Sequence, residues 1–153
     1  MEAAQSGSQH LVRQLTSMDA QFLALEDARN FSHISGLAIL DPSTAPGGEL
    51  VLVDVQSMIE ERLHLLPPFR WKLEEVPFGI DHPYWVDDPD FDIEFHVREL
   101  GLPAPGSEEQ LAVQVERIIS RPLDRARPLW EVYLVQGLSK GRAALLTKIH
   151  HSV

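Results

Sequence analysis

The chain has 153 residues, 44% of them hydrophobic, which suits one domain with a buried core. A formal net charge of −10 argues against a nucleic-acid surface, and the absence of cysteine excludes a disulfide framework, thiolate zinc sites and a cysteine nucleophile. The polar start, Met1 to Gln14, has no apolar signal-peptide core, and no window approaches the roughly 18 apolar residues of a membrane span, so a cytoplasmic setting is expected.

In chain order, residues 1–14 are expected to be a flexible tail and residues 15–153 to carry the fold. Thr16-Ser17-Met18-Asp19 spells a capping box with Asp where Glu or Gln is usual, and Met18, Phe22 and Leu25 follow at helical spacing. His33 to Leu40 reads as a strand, closed by Asp41-Pro42 and the Pro46-Gly47-Gly48 turn. Asp54 is the expected cap of a second helix with the stripe Val55, Met58, Ile59, Arg62/Leu63 and Leu66. Pro67-Pro68 ends it, because neither ring can extend the hydrogen-bond ladder. Phe69 to Val76 and Tyr84 to Val86 read as extended. Asp92 to Leu100 alternates Ile93, Phe95 and Val97 against Glu94, His96 and Arg98, the pattern of a half-buried strand. Ser107 with Gln110 forms a second capping box ahead of Leu111, Val115 and Ile118/Ile119. Trp130 to Val135 and Ala143 to Ile149 then read as two strands joined through Gly137 and Gly141. The mixture predicts the α/β or α+β class, a sheet with packed helices.

Several constellations suggest chemistry. Asp88, Asp90, Asp92 and Glu99 match ligand places of an EF-hand loop, but Ile93 stands where that loop needs glycine, so an acidic loop is expected and no metal. Arg62, Arg70 and Lys72 form one basic trio and Arg121, Arg125 and Arg127 another; each suits either phosphate or solvent. His33, His64, His82 and His96 are scattered and read as structural or solvated. The chain has no Gly-x-Ser-x-Gly elbow, no Walker loop and no Gly-x-Gly-x-x-Gly. Ser152 beside His151 is poorly placed as its nucleophile, since neighbours on an extended chain point to opposite sides.

The apolar run Ala143 to Ile149 closes on His150-His151-Ser152-Val153. A histidine where a strand runs out is well placed to act as a general base, since its ordinary pKa lies near neutrality. The same pair also fits a structural or solvated role, and these residues alone leave both readings open.

Taken together, the segments resemble the N-terminal part of the bacterial wax ester synthase/diacylglycerol acyltransferase family. Leu15-Thr16-Ser17-Met18-Asp19-Ala20-Gln21-Phe22-Leu23 resembles its opening helix, and Leu66-Pro67-Pro68-Phe69-Arg70-Trp71-Lys72-Leu73 its Pro-x-Phe-Arg segment. Pro122-Leu123-Asp124 with Pro128-Leu129-Trp130-Glu131 resembles the Pro-Leu-Trp region. His150-His151-Ser152-Val153 resembles the start of the His-His-x-x-x-Asp-Gly motif. These pieces fall in the family's order and span residue 15 to the end.

The resemblance implies a chloramphenicol-acetyltransferase-like half-domain, with the active site in a channel between two similar halves. It implies transfer of an acyl group from acyl-CoA, the co-substrate, to diacylglycerol or a long-chain alcohol, with no bound cofactor. His151 would be the general base and His150 a supporting residue, while Pro128, Leu129 and Trp130 would be structural or substrate-lining. The family's Asp and Gly would fall beyond Val153, so a complementary C-terminal chain is the expected partner and the isolated chain is expected to be inactive. Peripheral contact with a membrane or lipid-droplet surface is part of the same expectation. The competing readings are a non-catalytic lipid-binding or interaction fragment and a carrier-protein-dependent acyltransferase.

Overall fold

The computed structural model describes residues 12–27 and 29–153. The expected tail therefore lies mostly outside the described residues, but its end does not: strand β1 (Arg13–Gln14) pairs antiparallel with Trp85 and Tyr84. Helix α1 (Ser17–Ala24) starts on the predicted capping box, Thr16 accepting from the Asp19 N–H while Asp19 accepts from the Thr16 N–H. Its buried residue is Leu23, whereas Met18 and Leu25 of the predicted stripe are 68% and 71% exposed. The helix is two turns long, and Leu15 and Leu23 together seat it against the core.

Strand β2 (His33–Leu40) has the predicted bounds. Helix α2 (Leu52–Glu60) begins earlier than predicted: Val51 is its N-cap and makes no side-chain cap bond, while Asp54 sits inside the first turn. There the carboxylate favours the helix through its dipole and not as a cap. Val55 is buried and Met58 is 47% exposed, but the helix ends at Glu60 and not at Pro67-Pro68: the buried Leu63 opens a separate 3-10 turn (Leu63–Leu65), and Leu66 after it is 51% exposed. Strands β3 (Trp71–Glu74) and β4 (Tyr84–Asp87) follow, and with β1 they form a small antiparallel sheet in the order β1-β4-β3.

The largest departure from the sequence pattern lies at Asp92–Leu100. Ile93–His96 is a single helical turn, α3, and only β5 (Val97–Gly101) is extended. Asp92 caps the turn by accepting from the Glu94 N–H, a local bond that wins over the alternation. The turn carries His96 into full burial. Helix α4 (Glu108–Ile119) follows with its predicted capping box of Ser107 and Gln110, then strands β6 (Trp130–Leu138) and β7 (Arg142–His150).

These strands make a mixed four-stranded sheet, β2-β7-β6-β5, in which β5 and β6 are parallel and the other pairs antiparallel. The parallel pair needs a crossover, and α4 supplies it. Near the far end of β6 the register shifts between Val135 and Leu138, where Gly137 takes φ +81° and a Cβ would lie 2.8 Å from the Leu102 carbonyl oxygen. Only glycine fits that approach.

Side chains alternate across the sheet. Val97, Trp130, Val132, Leu134 and Ala143 pack with Val55 and Leu63 on the α2 side. Leu102, Val135, Leu138 and Ala144 pack with Leu111 on the α4 side. The interior strands β6 and β7 are thus covered on both faces, whereas β2 forms an edge with Ile34, Leu37 and Ile39 at 53%, 46% and 46% exposure.

Candidate active site

Strand β7 ends at His150, which pairs with His33 of β2 and donates its N–H to the Leu129 carbonyl at 3.0 Å. The chain then turns, with the Val153 N–H donating to the His150 carbonyl at 3.2 Å. Because alternate residues of β7 face alternate sides, His150 and Lys148 point toward the α4 side of the sheet. His151 leaves the strand and is exposed.

The two histidines sit in opposite environments. The His150 side chain is only 2% exposed; its Nδ1 lies 2.6 Å from Ser152 Oγ and 3.1 Å from the Ser152 backbone nitrogen, and its Nε2 lies 3.1 Å from Glu26 Oε1. A backbone N–H can only donate, so Nδ1 is the acceptor and the proton is on Nε2, donated to Glu26. His150 is therefore a neutral imidazole bonded to a carboxylate. Burial holds its pKa below the ordinary histidine value, and the opposing pull of Glu26 does not overcome it. At Glu26 burial acts to raise the carboxyl pKa, but the Arg125 hydrogen bond, the Ser32 N–H and the neighbouring charges outweigh it and hold it below the ordinary value. The contact is a charge-assisted hydrogen bond and not an ion pair.

The His151 ring stacks on Phe22 of α1, with centroids 4.9 Å apart and planes 17° from parallel. Its backbone N–H donates to the Ser32 carbonyl at 2.8 Å. Among the described residues no hydrogen bond reaches its ring nitrogens. Ser152 is turned away from His151 and onto His150, two residues back on the same side of the chain.

Pro128, Leu129 and Trp130 are fully buried. The Trp130 indole N–H donates to the Phe69 carbonyl at 2.7 Å and its ring stacks on His96 at 4.4 Å. Trp130 also borders an apolar cavity of about 180 Å³ under α2, lined with Ile59, Leu63, Leu66 and Phe69. Trp130 and His151 thus lie at the same end of the sheet but serve different surroundings.

The second basic trio is mostly engaged. Arg125 pairs with Glu26 at 2.9 Å and donates to the Leu23 carbonyl, and Arg127 reaches Asp88 at 3.8 Å and the Asp90 carbonyl at 2.6 Å. Asp88, expected from sequence in an acidic loop, is 3% exposed and neutralised by Lys72 at 3.3 Å and Arg127. Among the described residues no group of His, Asp and Glu is arranged to hold a metal ion.

Sequence reasoning missed Glu26, Phe22 in its stacking role, Ser32, and the buried network on the α4 side. In that network Lys148, 1% exposed, donates to the Ile118 and Arg121 carbonyls, and Glu131 accepts from Tyr133 at 2.9 Å and from Arg98 at 3.3 Å. Burial, then the Glu131 charge, pushes the Tyr133 hydroxyl up to about 12. Lys148 stands inside an apolar strand pattern, a signal that could have marked this face as polar; Glu26 carried none.

Among known proteins, the sequence pattern of the wax ester synthase/diacylglycerol acyltransferase catalytic domain matches residues 15–153. A putative diacylglycerol O-acyltransferase of Mycobacterium tuberculosis is 44% identical over 141 residues, covering 92% of this chain and 30% of the relative. A probable diacylglycerol O-acyltransferase of the same organism is 43% identical over 143 residues, covering 94% and 52%. The solved wax ester synthase/diacylglycerol acyltransferase of Marinobacter aquaeolei VT8 superposes with a TM-score of 0.76 at 33% identity, over 92% of this chain and 33% of that one. The first condensation domain of the CDA synthetase shares the fold, with a TM-score of 0.67 at 18% identity over 92% of this chain and 36% of that one. The chain thus spans between about a third and a half of the length of these relatives. Its matched region, fold and strand-end histidine pair make it a member of the wax ester synthase/diacylglycerol acyltransferase family.

Proposed function

We propose that this chain carries the His151-bearing part of an acyl-CoA-dependent O-acyltransferase that esterifies diacylglycerol or a long-chain alcohol. The observation that carries the reading is the contrast at the end of β7, an exposed His151 whose ring nitrogens meet no hydrogen-bond partner among the described residues, beside a buried, fully bonded His150. In the proposed reaction a His151 ring nitrogen removes the acceptor hydroxyl proton as the oxygen attacks the thioester carbonyl. The tetrahedral intermediate collapses to the ester, the C–S bond breaks, and the departing CoA sulfur receives the proton back from His151. His150 supports this step by remaining neutral, so that no buried cation opposes protonation of its neighbour. Pro128, Leu129 and Trp130 hold the strand start that pairs with the end of β7.

The chain is proposed to act with a complementary C-terminal chain or segment of the same family fold. The uncovered β2 edge supports this, as does an apolar groove of about 620 Å³ between β2 and α4, lined by Leu37, Ile39, Leu111, Val115 and Ile119. Because the proposed acceptors are lipids, the reaction would take place at a membrane or droplet surface by peripheral contact. Among the described residues no helix is long and apolar enough to cross a membrane.

The test is ester formation and CoA release by the native assembly, after intact mass spectrometry has identified any companion polypeptide. His151→Ala should lower turnover by about 100-fold or more with the fold retained; undiminished turnover would sink the assignment. Offering the acyl group on CoA or on a carrier protein separates this reading from the carrier-dependent one.

A further inference from the structure

The Glu26 carboxylate joins more parts of the site than any other side chain near it. Its Oε1 accepts from the Ser32 N–H at 2.8 Å and from His150 Nε2 at 3.1 Å, and its Oε2 accepts from Arg125 at 2.9 Å. Arg125 continues to the Leu23 carbonyl at 2.7 Å, the last turn of α1. Ser32 in turn donates its hydroxyl to the Phe22 carbonyl at 2.8 Å and lends its own carbonyl to the His151 N–H. The backbone hold on His151 and the aromatic ring beneath it therefore belong to one piece of chain, clasped by one carboxylate. The residues on either side of His151 are tied to the same point, since His150 bonds Glu26 directly and Ser152 bonds His150. Among the described residues Glu26 makes no hydrogen bond to the His151 ring, so it is not the carboxylate of a Ser-His-Asp arrangement.

We propose that Glu26 is a positioning residue for His151, fixing the height and plane of that ring through His150, Ser32 and Phe22. The geometric claim stands on these contacts, and its catalytic consequence rests on reading His151 as the base. A general base held loosely by about an ångström loses much of its advantage, on the order of a hundredfold. The carboxylate is only 13% exposed and bridges three partners, which is the arrangement a rigid hold requires.

The test is histidine-labelled NMR on the whole chain, reading the tautomer of His150 and the ring-current shift that Phe22 imposes on the His151 protons. In the unaltered protein His150 should be the Nε2–H tautomer and the His151 protons should lie upfield. Phe22→Leu should remove the upfield shift and leave the His150 tautomer unchanged, establishing what the shift reports. Glu26→Ala should abolish the shift and release His150 into a mixture of tautomers. Glu26→Gln keeps the shape and can still accept from His150, so it should partly restore both signals; it also serves if the alanine variant does not fold. Unchanged His151 shifts in a folded Glu26 variant would overturn the proposal. In the active assembly Glu26→Gln should lower kcat by about tenfold or more with little change in KM for the acyl donor. If His151→Ala retains turnover while Glu26 variants still displace the ring, the positioning claim survives and the reading of His151 as base falls. If His151→Ala abolishes turnover but Glu26→Ala leaves both ring and kcat unchanged, the positioning claim falls alone.

Discussion

The two faces of the large sheet, at the end where β7 stops, each bury a histidine and treat it differently. On the α2 side His96 lies among Phe91, Phe95 and Trp130, with Nδ1 donating to the Trp130 carbonyl at 2.7 Å and Nε2 without a partner among the described residues. On the α4 side His150 has both nitrogens bonded, one to a carboxylate. Both are kept neutral, chiefly by burial. Burial alone therefore does not assign a role. His96 is a flat ring in an aromatic stack, whereas His150 is a link between a carboxylate and the exposed residue that follows it.

The larger loss is expected on the aromatic side. Trp130→Ala removes a fully buried indole and its bond to Phe69, and should cost about 3–5 kcal/mol in urea unfolding. A loss below about 1 kcal/mol would show that this face does not depend on its aromatic stack.

A smaller effect should appear on acidification. The folded-state pKa of each histidine lies below the ordinary 6.5, so above 6.5 both folded and unfolded chains hold it neutral and its contribution is complete. As pH falls through 6.5 the unfolded chain takes up protons that the folded chain refuses. Between the unfolded and folded pKa values each histidine then lowers stability by up to about 1.4 kcal/mol per pH unit. His96→Phe, which keeps a stacked ring, should flatten that limb while leaving the His150 share. Glu26 adds a separate limb: its folded pKa lies below 4.5, so its contribution is present above 4.5 and fades as pH drops through the folded value. Denaturation midpoints from pH 8 downward would resolve the two; a flat profile across both would contradict the buried neutral assignment.

The smallest expected change is Ser152→Ala. It removes the hydroxyl at His150 Nδ1 but leaves the backbone N–H, so about 1 kcal/mol should be lost and the His150 tautomer kept. A reversed tautomer in that variant would show that the hydroxyl, and not the backbone, directs the ring.

What was legible in the sequence was local. The capping boxes at Thr16 and Ser107 close over three residues, and the apolar runs of β6 and β7 need only their own pattern to be seen. The strand-end position of His150-His151 could be read for the same reason. The stretch from Asp92 to His96 could not, because one short-range cap outweighed an alternation that looked like a strand. Asp88 could not either, since its burial depends on Lys72 and Arg127, which approach from separate parts of the chain.

Local pattern was enough to reveal the family, the capped helix starts and the strand end at which the histidine pair stands. Which histidine is exposed, and what holds it, follows from contacts between distant parts of the chain. Strand alternation turns His150 inward, and the carboxylate that meets it lies 124 residues away along the chain. No periodicity encodes a contact at that separation; it exists because the end of α1 and the end of β7 are brought together by the cores on which each is packed.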